Sequence, residues 1–227
     1  MILAATGLLR EARILASPEV QVVPGGGDHA RLEAELGRFA KGARGIISIG
    51  IAGALAPGLQ PGDWVVADVI LAGGRRILTD PAWAERLSAR LPGARKGPIL
   101  GADTMVAEAA GKAALHAETG ALAVDMESHV TARVALRHGL PLAAARVVSD
   151  GAHRTLPPAA RVGMRPDGGM DLPAVLRSLL AQPFQLPTLI LTGMEAERAF
   201  RALLRGHRLL GVRLAGPDLG ELLLDMA

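Results

Sequence analysis

The chain has no cysteine and no tyrosine, and its 227 residues carry only five aromatic side chains, two Trp and three Phe. Without cysteine there can be no disulfide and no thiolate metal site, and no redox signature places the protein outside the cell. The 25 basic and 22 acidic residues are spread along the chain with no basic tract. Few aromatics and no such tract leave nothing to stack bases or track a phosphate backbone, so nucleic-acid binding is not expected. No apolar run reaches the roughly 18 to 20 residues that cross a bilayer. The opening "MILAATGLLREARIL" is apolar but lacks a basic leading segment, and Arg10 and Glu11 interrupt it, so it does not read as a signal peptide. The expectation is a soluble cytoplasmic protein, with a mean hydropathy of +0.30 leaving room for a greasy surface or an apolar ligand. The six histidines show no HxH or HExxH pairing, so no metal is expected. "GGG" at 25–27 lacks the Lys-Ser/Thr of a P-loop and the spacing of a dinucleotide fingerprint, which makes it a turn.

What is present is apolar: half the chain is hydrophobic, enough for one sizeable core and a single domain over 1–227. Short Val/Ile/Leu/Ala runs recur as "MILAATG", "GIISIG", "DWVVADVIL", "GPILGAD", "GALAVDM" and "PLAAARVVSD". Such runs read as strands buried on both faces. Helical patterns fit between and after them at 28–41, 81–91, 105–118, 126–138, 173–181 and 194–205. That alternation argues for an α/β fold around a mainly parallel sheet. Residues 151–172 hold three prolines and four glycines and read as a long irregular loop, with 173–227 a C-terminal helical extension.

In such a sheet, ligands gather at the carboxyl ends of the strands. Glu11 follows the first run, "GIAGAL" the second, "GADTMV" a third, "DMES" a fourth and "SDGAH" the last, so their polar residues should converge on one rim. Carboxylates in such places are costly unless paired, and Asp125 and Glu127 stand between two apolar runs. Asp125 suits a helix cap. Asp150 ends a strand before Gly151, which suits a carboxylic acid held in a partly desolvated pocket with a raised pKa; His153 is the one histidine with a claim on the same place. Met126 and Met105 sit at strand-to-helix junctions. Three acids on one rim without a metal cluster resemble the equipment for cleaving a bond at a sugar.

Taken together, "SIGIAGALAPGLQPGDWVVAD" (48–68), "GADTMVAEAAG" (101–111) and "AVDMESHVTARVALRHGLPLAAARVVSD" (123–150) resemble the purine nucleoside phosphorylase and methylthioadenosine/S-adenosylhomocysteine nucleosidase superfamily. The resemblance covers roughly residues 2–155. Within it, the opening, "VVPGGGDHARLEAEL" and the Pro/Gly-rich tail look most like the hopanoid-associated branch, whose members are implicated in removing adenine from adenosylhopane. The resemblance implies a central mixed sheet flanked by helices, no cofactor, and homo-oligomers, with a dimer favoured. It also implies that Asp150 protonates N7 of the purine, that Met126 and Glu127 contact the ribose, and that Glu11 orients the attacking water. Met105 and Val106 would hold the base, although many relatives have Phe at the Met105 position, and Ala52 and Gly53 would lie beside the sugar. The substrate expected is an adenine nucleoside with an apolar 5′ group, met by a protein in peripheral contact with a membrane. A methylthioadenosine-type nucleosidase, a phosphate-dependent phosphorylase and a non-catalytic nucleoside- or lipid-binding protein are the alternatives. Phosphorolysis is disfavoured because the side chain of Ile51 cannot bind an anion, leaving Ser48 with Arg10, Arg44 or Arg146 to rebuild such a site.

Overall fold

The computed structural model describes residues 1–163, 165 and 167–217. The remaining positions of the expected loop and C-terminal extension, 164, 166 and 218–227, lie outside the described residues. In chain order the elements are β1 (Ile2–Thr6), α1 (Leu9–Leu15), β2 (Val20–Pro24), α2 (His29–Ala40), β3 (Gly45–Ala54), β4 (Trp64–Val66), β5 (Val69–Ala72), β6 (Arg75–Leu78), α3 (Pro81–Arg90), β7 (Arg95–Lys96), β8 (Ile99–Gly101), α4 (Ala109–Thr119), β9 (Ala123–Asp125), α5 (Ser128–His138), β10 (Leu142–Asp150), α6 (Pro158–Arg161), α7 (Leu172–Ala181) and α8 (Leu186–Leu210).

Among the described residues all ten strands join one sheet. It is mixed and mainly parallel: only the β10–β4, β3–β9 and β5–β6 pairings are antiparallel. The long strand β3 is the hub, pairing β10 along Ile46 to Gly53, β1 at its start and β9 at Gly53 and Ala54. Alternate residues of the central strands enter opposite layers. Leu3, Ala5, Leu142, Ala144 and Val148 pack with α2 and α5, while Ile2, Ala4, Ala143, Ala145 and Val147 pack with α3 and α8. A strand buried on both faces must be apolar at every position, which is why these runs do not alternate.

The expected strands form, with four differences. The run "DWVVADVIL" breaks at Ala67 and Asp68 into β4 and β5, because Ala67 N–H donates to Ala144 O while the chain beyond it leaves to pair with β8. β2 and the exposed β6 and β7 were not among the expected strands, and α1 not among the expected helices. Helix α4 starts at Ala109, not 105, and α8 begins at Leu186, not 194; Pro187 falls in its first turn, where the missing N–H costs nothing. The expected loop 151–172 contains the short α6.

Candidate active site

The rim gathers its acids from four elements: Glu11 from α1, Asp125 from the end of β9, Glu127 from the start of α5 and Asp150 from the end of β10. Glu11, on the first turn of α1, is 1% exposed, contrary to what its neighbours Arg10 and Arg13 would suggest. Its Oε2 accepts from Leu8 N–H at 2.7 Å and its Oε1 from Ile51 N–H at 2.7 Å. Glu127 lies at the start of α5 and is also buried. Between them runs Arg146, a fully buried guanidinium on β10. Its Nε stands 2.6 Å from Asp125 Oδ2, and its Nη2 donates to Glu127 Oε2 at 3.2 Å and to Ser48 Oγ at 2.5 Å. Gly50 makes room for this cluster: a Cβ there would come within 2.6 Å of Glu11 Oε1 and 2.9 Å of Arg146 Nη1. A Cβ at Gly7 would likewise press on Glu127 Oε1 at 3.0 Å.

Asp125 plays the structural part expected of it. Its Oδ1 accepts from Glu127 N–H at 3.0 Å and Ser128 N–H at 2.8 Å, so from two residues ahead of the N-cap Glu127 it holds the start of α5 and the backbone that carries Glu127. Its second oxygen holds Arg146, a role the sequence did not announce.

Three carboxylates face one guanidinium. Burial raises the Glu11 carboxyl above the ordinary range, against the opposing pull of Arg146 and of the N–H groups it accepts from. Burial also raises Glu127, helped by the charges of Asp125 and Glu11 and opposed by Arg146, to about 8. Burial works against the charge on Arg146, but Asp125, Glu127 and Glu11 outweigh it and hold its proton more tightly than usual. A carboxylate whose pKa burial has raised binds a proton more readily than a free one, which is what proton abstraction from water requires of Glu11.

The raised Glu127 has a consequence for stability. The folded protein keeps a proton that the unfolded chain gives up at 4.5, so this contribution is fully present below 4.5 and is lost as pH rises through about 8. The melting temperature of the unliganded protein should therefore fall between pH 5 and 8.5, by about 2–4 °C for each kcal/mol lost in a chain of this size. Glu127→Gln should make that fall shallower in a fluorimetric melting series; equal slopes for both proteins would contradict the assignment.

Asp150 closes β10 four residues after Arg146, about 13 Å along an extended strand. β10 is bulged between Val148 and Asp150, which brings Asp150 opposite Gly53. A Cβ at Gly53 would meet Asp150 Oδ2 at 3.4 Å, so Gly53 forms the floor beneath this carboxylate, with the buried Ala52 beside it. Ser149 Oγ lies 2.6 Å from Asp150 Oδ1 and 3.1 Å from Ala52 O. Where the sequence suggested a carboxylic acid in a partly desolvated pocket, the structure shows an ion pair: the ammonium of Lys112, on α4 and fully buried, donates to Asp150 Oδ2. Met105 is exposed, Val106 and Met126 are half-buried, and His153 is exposed with its ring over Gly151.

The described residues of the 151–172 segment meet this rim at two places. Gly168 O accepts from Leu9 N–H at 3.0 Å, and a Cβ at Gly168, whose φ is +82°, would strike Gly7 O at 2.9 Å. Leu156 N–H donates to Ala107 O at 2.9 Å, tying the segment to the chain between β8 and α4. The turn at 25–27 is a turn as expected, with positive φ at Gly26 and Gly27.

Among the described residues, His29, Asp103 and His129 are the group that could hold a metal, one ligand atom from each lying within 4.8 Å of the others. The sequence missed this meeting because the histidines come from α2 and α5 rather than from one motif. Asp103 is 85% exposed, and burial lowers the pKa of His129. A cleft of about 290 Å³ lined by Ile77, Asp80, Leu136 and Pro141 lies at the far end of α5 from Glu127 and has none of the acids described above.

A mixed sheet with acids at one rim and helices on both faces is the nucleoside phosphorylase type of α/β fold. The model of the Phosphorylase superfamily matches residues 27–181, and the chain belongs to that superfamily. It is 37% identical over 125 residues to the futalosine hydrolase of Streptomyces coelicolor, an overlap of 46% of this chain. The chain spans about half, 53%, of the length of that curated relative. Among solved structures it is similar to the 5′-methylthioadenosine/S-adenosylhomocysteine nucleosidase of Helicobacter pylori with butyl-thio-DADMe-Immucillin-A, with a TM-score of 0.65 at 16% identity, covering 100% of this chain and 98% of that one. The futalosine hydrolase of H. pylori strain 26695 gives 0.60 at 17%, covering 91% and 96%. At these identities the structural likeness establishes the fold.

Proposed function

We propose that the chain is a nucleosidase that cleaves the N-glycosidic bond of an adenine nucleoside with water. The observation that carries this reading is the buried set of Glu11, Glu127 and Asp125 around Arg146, which sits on the strand that also presents Asp150. N-glycoside cleavage passes through an oxocarbenium-like state, so negative charge near the ribose and a proton for the departing purine are the two requirements. Glu127 grips the ribose diol and in its ionised form stabilises the cation, Glu11 takes the proton of the attacking water, and Asp150 delivers a proton to N7. Met126 lies beside the sugar, and Met105 and Val106 beside the base.

Water is favoured over phosphate by the electrostatics. Arg146 and Ser48 do meet, as a phosphate site would need, but Arg146 is engaged by Asp125 and Glu127. The N–H of Ile51 is committed to Glu11. Arg10 pairs with Glu197 on the surface, and Arg44 lies at the opposite end of β3 from Ile51. An anion entering here would meet carboxylates. The names borne by the relatives, hydrolase and nucleosidase, agree.

For the 5′ substituent the proposal is a large apolar group, as in adenosylhopane, with the protein working beside a membrane. Support comes from α7, the turn that follows it and the start of α8: Leu176, Leu180, Phe184, Leu186 and Ile190 are exposed, Leu180 and Phe184 by 80% or more. α7 buries none of its residues and follows directly on the segment that meets the rim. No single helix among the described residues is long and apolar enough to cross a membrane; the bent pair 172–181 and 183–210 passes that test by length and composition only. Covering an apolar tail contributes about 25 cal/mol per Å². Catalytic efficiency should accordingly rise along a series of adenine nucleosides with larger apolar 5′ groups, read by adenine release. Efficient cleavage of methylthioadenosine with rejection of every long analogue would remove the lipid assignment and leave the nucleosidase.

A further inference from the structure

Lys112 belongs to no function described so far, and it is the other fully buried cation of the rim beside Arg146. A lysine almost never sits at zero exposure unless its charge is matched and its three donors are used. Here both conditions are met at one place: the ammonium donates to Asp150 Oδ2, to Gly151 O at 3.2 Å and to Arg154 O at 3.0 Å. The two carbonyls belong to the chain just beyond β10, so Lys112 fastens the start of the 151–172 segment as well as the carboxylate. The choice of an ammonium matters, because an alkylammonium carries a proton at neutral pH and a free carboxylic acid ordinarily does not. A guanidinium would supply the charge but not the proton.

We propose that Lys112 is a positioning residue that supplies, through Asp150, the proton taken up by the leaving purine; this rests on the nucleosidase reading above. As the C1′–N9 bond breaks, its electron pair enters the purine and N7 becomes basic. The Nζ–H bond breaks and an O–H bond forms on Asp150; that O–H bond then breaks as N7–H forms. The purine leaves neutral, Asp150 is a carboxylate again, and Lys112 is a neutral amine that recovers a proton from water when the product departs. The scheme explains how an ion-paired Asp150 can act as an acid: the proton is stored on the nitrogen behind it. It also explains why the pair is buried, since water reaching either group would offer the purine another proton.

The test is leaving-group dependence, which a purely structural lysine would not alter. Rates of base release would be measured for wild type, Lys112→Met and Lys112→Arg on nucleosides of adenine, 2-fluoroadenine and 6-chloropurine, whose departing anions need a proton progressively less. Both variants should lose about a hundredfold in kcat on the adenine nucleoside, the lower range for loss of a proton donor. That loss should shrink steadily towards 6-chloropurine, while wild type depends little on the base. Lys112→Arg keeps a cation against Asp150 and carries the test if Lys112→Met does not fold. An equal loss on all three bases, or full activity of Lys112→Arg on adenine, would overturn the proposal. Failure of wild type to release any base would instead overturn the nucleosidase reading on which it rests.

Discussion

Asp150→Asn should retain the fold and lose about two to four decades of kcat on an adenine nucleoside, the range for removing a positioned acid. The amide cannot take up and pass on a proton, although its carbonyl oxygen can still accept from Lys112. The substitution leaves a buried ammonium without its counter-charge, and single removals of this kind cost about 3–5 kcal/mol. Loss of stability must therefore be separated from loss of chemistry. The double variant Asp150→Asn with Lys112→Met removes both charges together and should recover much of the stability without recovering turnover. Urea denaturation and adenine release measured side by side distinguish the two effects. An unchanged kcat in Asp150→Asn would take Asp150 out of the mechanism.

Arg146→Met is expected to be the most destabilising change at the other end of the site. It leaves Asp125 and Glu127 facing each other and Glu11 with no cation between them, all buried. Breaking a buried pair by deleting one partner costs about 3–5 kcal/mol, a large share of the 5–15 kcal/mol that holds an ordinary domain together. Arg146→Lys keeps the charge but loses the planar fork that reaches Asp125, Glu127 and Ser48 at once, so its stability should fall between the two. A loss below about 1 kcal/mol for Arg146→Met in urea denaturation would mean that the carboxylates simply take up protons and need no partner.

Much of this arrangement can be read in the sequence, and the parts that cannot have physical reasons. The strands are legible because a sheet covered on both faces demands uninterrupted apolar runs. Glu11, Glu127 and Asp150 are legible because each follows such a run, and the fold gathers those positions. Arg146 left a signal of a different kind: a lone charge in "AAARVV", where every neighbour is buried, can only be a paired charge. Lys112 left none. In "EAAGKAALHAETG" it has the look of a solvent-facing helical lysine, and only the packing of α4 against the end of β10 turns it inward. β2, β6 and β7 are not legible because they are short and partly exposed edge segments whose pairing is set by β1, β5 and β4. The meeting of His29 with His129 depends on α2 lying against α5, a contact 100 residues apart in the chain.

The central claim, hydrolysis of an adenine nucleoside, is tested most directly by following adenine release in phosphate-free buffer made with ¹⁸O-labelled water. Adenine should appear at a rate that added phosphate does not raise, together with a free sugar carrying one labelled oxygen at C1′. Release that requires phosphate and yields an unlabelled sugar 1-phosphate would contradict it.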